Sequence, residues 1–109
     1  MLSAKHNTIV ITNYYALPHY LFDRGYIDDK TPVIANAVRE DIEGKHVIGV
    51  LPLQLAVYAE SITVFRFQPP KGWNKGKNWE NIATVEDFYE YTRKPITYKV
   101  TRAEVPFDN

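Results

Sequence analysis

HVIGVLPLQLAVYAE, residues 46–60, reads as a strand that runs through a glycine and a proline into an amphipathic helix. From His46 to Val50 the run is β-branched and apolar on both faces, the pattern of a sheet strand covered by helices. Pro52 suits the first helical position, because its fixed φ matches the helix and its missing amide is not needed there. Leu51 is then the expected N-cap. It has no side-chain oxygen to accept from the first-turn amides, so water, another chain segment, or a bound phosphate or carboxylate must meet them.

Outward from this stretch, TIVIT at Thr8 to Thr12 is a β-branched first strand. Tyr15 to Arg24 carries Leu17, Tyr20, Leu21 and Phe22 and is followed by Gly25, which predicts a helix with Pro18 confined to its first turn. After a polar turn at Asp28 to Lys30, PVIA at Pro32 to Ala35 is a second strand. Asn36 to Glu43 reads as a loop with a helical turn around Val38 to Ile42, closed by Gly44. SITVFRF at Ser61 to Phe67 is a fourth strand. QPPKGWNKGKNWEN at Gln68 to Asn81 has no periodicity and opens a long Trp/Lys-rich loop over 68–83; loops of this length are usually functional or disordered, and its tryptophans argue against disorder. Thr84 to Thr92 starts with a threonine followed by Glu86 and Asp87, a helix start with acids at its positive end. Ile96 to Val105 alternates and predicts a last strand at an edge.

This order predicts an α/β fold: one small Rossmann-like domain over 1–109, with a mostly parallel sheet flanked by helices and joined by right-handed crossovers. Ligands of such sheets lie above the carboxyl ends of the strands. That edge is expected to present Thr12, Asn13 and Tyr14, then Asn36, then Val50 to Gln54, then Phe67 onward.

The 109 residues include no cysteine, which removes disulfides and thiolate metal sites and makes a cytoplasmic protein the default. No apolar run approaches the roughly 20 residues of a membrane span, and the start lacks a signal-peptide core. With 13 basic and 13 acidic residues, the chain lacks the basic excess of a long nucleic-acid footprint. A small anionic ligand remains compatible, since Lys71, Lys75, Lys77, Arg93, Lys94, Lys99 and Arg102 gather in the last third.

Neither GxGxxG nor GxxxxGK[ST] occurs, so a dinucleotide cofactor and NTP hydrolysis are not expected. The three histidines fall in unrelated contexts, no metal-ligand spacing is present, and no nucleophile elbow appears. His46 is expected to pack at the entrance of its strand. Asn13 and Tyr14 have two readings each: ribose or phosphate contacts at a strand end, or helix capping by Asn13 and core packing by Tyr14. Gln54 either donates to the same ligand or faces solvent. Trp73 and Trp79 beside Lys71, Lys75 and Lys77 combine stacking surface with positive charge, as single-stranded nucleotide sites do, or anchor a solvated loop.

The strand TIVIT with its polar and aromatic loop, GKHVIGVLPLQLA, and the QPP strand end with KGK before the final helix together resemble the small CRISPR-associated Csx proteins. The resemblance spans about Thr8 to Tyr91, and its distinctive core is G-x-L-P-x-x-L-A at Gly49 to Ala56. These proteins are similar to stand-alone CARF domains, the Rossmann-like sensors of cyclic oligoadenylate, and some are ring nucleases that cut this messenger and switch off type III CRISPR antiviral signalling. The resemblance therefore implies a metal-independent activity on cyclic oligoadenylate, with cyclic tetra-adenylate as the expected ring; the two-fold symmetry of that ring makes a homodimer the natural assembly, and no cofactor is expected. A ribose 2′-hydroxyl would attack the adjacent 3′-phosphate, leaving a 2′,3′-cyclic phosphate. Asn13 and Tyr14 are implied to position ribose and phosphate, with Lys75 stabilising charge or protonating the leaving group. Thr12, Asn36, Leu51, Leu53, Gln54 and Trp73 complete the implied ligand site, the amides near Leu53 and Gln54 meeting phosphate and Trp73 stacking on adenine.

The chain departs from the family at two places. Asn13, Tyr14 and Tyr15 stand where relatives often have arginine, histidine and proline, and Gln54 stands where they often carry histidine. Two alternatives follow: a module that binds the ring without cutting it, and an interaction subunit that uses its aromatic loop on a protein partner.

Overall fold

A computed structural model describes residues 7–73 and 83–103. The sheet grows from β1 (Thr8–Ile11), whose four residues are all buried, as a central parallel strand requires. β2 (Val33–Ile34) pairs with it in parallel on one side and β3 (His46–Gly49) on the other. β4 (Ser61–Val64) adds in parallel to β3, and β5 (Ile96–Tyr98) closes the far edge antiparallel to β4. The five-stranded order is β2-β1-β3-β4-β5. The predicted α/β, mostly parallel, Rossmann-like architecture is therefore what the chain forms, with its last strand at an edge.

Strand alternation divides the core between two faces. Val10 and Ile48 point to one, where α1 (Leu17–Asp23) and α4 (Val85–Tyr91) cover them with Leu17, Leu21 and Phe88. Ile9, Ile11, Val47 and Ile62 point to the other, under α2 (Arg39–Ile42) and α3 (Leu53–Ala56), which contribute Ile42 and Ala56. Burying each large side chain stabilises the fold by roughly 1.5–3 kcal/mol. No helix among the described residues is long and apolar enough to cross a membrane.

Local chemistry sets the helix ends. Pro18 lies in the first turn of α1, where no amide is required. At α4, Thr84 Oγ1 accepts from the Asp87 amide at 3.1 Å while an Asp87 carboxylate oxygen accepts from the Thr84 amide at 3.0 Å, a reciprocal cap.

Several predicted boundaries shift. Leu51 is not the N-cap of α3; Pro52 is, with φ −59° and ψ 149°. The pyrrolidine ring fixes φ but leaves ψ open, and the extended ψ turns the Pro52 carbonyl onto the amides of Leu55 and Ala56, each at 3.0 Å. β3 ends at Gly49, whose φ of +142° takes Val50 out of the ladder. β4 ends at Val64 because its partners run out there, the β3 ladder stopping at Ile48 opposite Thr63 and the β5 ladder at Ile96, which follows Pro95; Phe67 bridges instead to Thr92 beyond α4. β5 ends at Tyr98, opposite Ile62, near the start of its short partner.

Candidate functional site

β1 and β3 are neighbours whose following chains leave on opposite faces, β1 into α1 and β3 into α3. Such a divergence opens a crevice above the carboxyl ends of the strands. A cleft of about 200 Å³ lies there, with Thr12, Asn13 and Tyr14 on one wall, Gly49 and Val50 on the other, and Phe67 and Phe88 among its aromatic surfaces.

Gly49 pairs in register with Ile11, and a Cβ on it would collide with the Ile11 carbonyl oxygen. Only glycine combines this backbone approach with its positive φ. Thr12 continues the edge: its amide donates to the Ile34 carbonyl at 3.0 Å, and its Oγ1 accepts from the Tyr14 amide at 3.0 Å. This turn holds the loop so that Tyr14 packs inward. The Tyr14 ring meets Phe67 and Phe88 edge-on, with centroids 5.7 and 5.3 Å apart, so its packing role is realised. Asn13 is exposed, and its side chain has no hydrogen-bond partner among the described residues. It does not cap α1, whose N-cap is Ala16.

Other predicted site residues lie elsewhere. Asn36 is exposed after β2, and Ala35 lines the cleft in its place. Leu51 packs against the second core face, and Leu53, 72% exposed, joins it along an apolar groove beside Tyr98 and Val100. Gln54 is exposed on α3. This helix has only four residues, too few to align a dipole, so the anion seat expected at its first amides loses its electrostatic basis. Trp73 is half-buried against Phe67 and Tyr91, at centroid distances of 5.4 and 6.3 Å, and does not line the cleft. Lys75 lies outside the described residues, as do His6, Lys77 and Trp79.

Among the described residues, none that lines the cleft carries a formal charge at neutral pH, and no group of three His, Cys, Asp or Glu side chains could hold a metal ion. The cleft therefore offers neutral hydrogen-bonding groups from Thr12 and Asn13 beside aromatic and aliphatic surface, a combination suited to a base or ribose. Phe88 was not foreseen as a site residue: its helix lies far along the chain, and only α4 packing on α1 brings it beneath Tyr14. Comparison of the chain with protein-family models, curated proteins and solved structures finds no match.

Proposed function

We propose that this protein binds cyclic oligoadenylate across the carboxyl edge of its sheet, as the resemblance at Gly49 to Ala56 to the CRISPR-associated Csx proteins implies. The observation that carries this reading is the neutral, partly aromatic cleft at the divergence of β1 and β3, with the Asn13 side-chain amide, which has no hydrogen-bond partner among the described residues, at its rim. At about 200 Å³ the cleft is smaller than the 300–1,000 Å³ usual for a whole ligand. One protomer then holds one part of the ring, and a two-fold dimer completes the site around cyclic tetra-adenylate, whose own symmetry matches.

Cleavage is the stronger form of the proposal. Attack by the ribose 2′-hydroxyl needs in-line alignment and charge stabilisation rather than a metal. Asn13 and Tyr14 would align the ribose and phosphate, and Lys75 would meet the developing charge. A second reading, binding without cleavage, is favoured by the uncharged lining and by Asn13 and Gln54 standing where relatives often carry other groups.

Incubation with cyclic tetra- and hexa-adenylate, followed by mass identification of products, tests both readings. Linear products with a 2′,3′-cyclic phosphate support cleavage. An intact ring with ligand-dependent thermal stabilisation supports sequestration. The absence of both product and stabilisation would overturn the proposal.

A further inference from the structure

A second pocket, of about 450 Å³, opens between the end of α1 and the segment that follows α4, and shares no residue with the sheet-edge cleft. Arg24, Arg93 and Lys94 line it beside Tyr20, Tyr26 and Thr92, and no carboxylate does. Asp23 and Glu90 are near in sequence but do not line it. Among the described residues none of these cations forms an ion pair; the pair that is formed joins Arg39 to Glu43 on α2.

The two guanidinium groups are oriented by neutral groups. Arg24 Nη1 donates to the Tyr20 hydroxyl at 3.1 Å, and its guanidinium carbon lies 5.7, 5.9 and 5.8 Å from the ring centroids of Tyr20, Tyr26 and Tyr89. Arg93 Nε donates to Gln68 Oε1 at 2.9 Å, which leaves both terminal guanidinium nitrogens without a partner among the described residues. Lys94 is fixed through its carbonyl, which accepts from Arg66 Nη2 at 3.2 Å, so a fourth cation stands close by. Thr92 Oγ1 is buried with no hydrogen-bond partner among the described residues. Like charges gathered in this way repel one another, and holding long side chains in place costs entropy; a bound anion offsets the repulsion.

We propose that this pocket binds a nucleotide, its phosphate on Arg24, Arg93 and Lys94 and its base against Tyr26. Guanidinium groups match phosphate geometry, and an aromatic ring beside them adds a stacking surface that a simple anion would not use. The volume falls within the range for a small ligand.

The test titrates the full chain with adenosine 5′-monophosphate, adenosine and inorganic phosphate by calorimetry, with amide shifts followed by NMR. Saturable binding of the monophosphate is expected, with the largest shifts at Thr92 and Arg93, phosphate moving the same amides with weaker affinity and adenosine leaving them unmoved. Arg93→Gln and Lys94→Gln should each weaken binding by about tenfold, the loss of one charge-assisted contact, at an unchanged melting temperature. Lys30→Gln, whose side chain lines neither pocket, should bind as the parent does. If Arg93→Gln disturbs folding through Gln68, Lys94→Gln alone decides. No binding of the monophosphate, equal affinity for phosphate, or binding that survives Lys94→Gln but is lost in Asn13→Ala would overturn the assignment. These readouts are independent of ring cleavage, so failure here leaves the sheet-edge proposal standing.

Discussion

Gly49 lies directly across the β1–β3 ladder from Ile11, and the space a side chain would fill is occupied by the Ile11 carbonyl oxygen. Gly49→Ala therefore meets backbone rather than a movable side chain, at a φ that L-residues avoid. A loss of at least about 2 kcal/mol is expected, read as a lower urea midpoint at constant m-value.

Asn13→Ala separates ligand contact from scaffold. The side chain is exposed and caps nothing, so stability should stay within about 0.5 kcal/mol of the parent. Binding or single-turnover cleavage of cyclic tetra-adenylate should fall at the same time. Unchanged cleavage would remove Asn13 from the site.

His46 sits at the amino end of β3, away from the cleft, with Nδ1 2.7 Å from Ser61 Oγ. His46→Ala should cost about 1 kcal/mol through the lost hydrogen bond and leave ring binding unaltered at equal folded fraction. Abolished cleavage in a folded protein would place the chemistry at the opposite end of the sheet.

At α4, Thr84→Ala removes one half of the reciprocal cap with Asp87. The expected loss is about 1 kcal/mol, visible as a lower melting temperature. Because α4 carries Phe88 beneath the cleft, ligand-induced stabilisation should be measured in the same experiment.

Cleavage, where it occurs, should persist in excess EDTA, since the proposed attack needs no metal. Complete loss, restored by one divalent ion, would contradict that mechanism.

Features encoded within a few residues were readable from the chain alone. The β-branched run Thr8 to Thr12 and the Thr84–Asp87 spacing are local, and the strand and helix they imply formed where expected. Pro52 misled by one position because proline restricts φ while ψ depends on what its carbonyl can meet. The cleft was partly readable, through Thr12, Asn13 and Tyr14 at a strand end. Phe88 beneath it was not, because contacts between α1 and α4 are made only in the folded chain. For the same reason no sequence pattern ties Arg24 to Arg93 and Lys94.

The sheet's two margins are brief: β2 has two residues and β5 three. Strands this short are poor templates for another chain's backbone, so edge-to-edge polymerisation through added strands is disfavoured by construction. The colloidal stability of concentrated samples should accordingly depend on surface charge more than on protecting an open ladder.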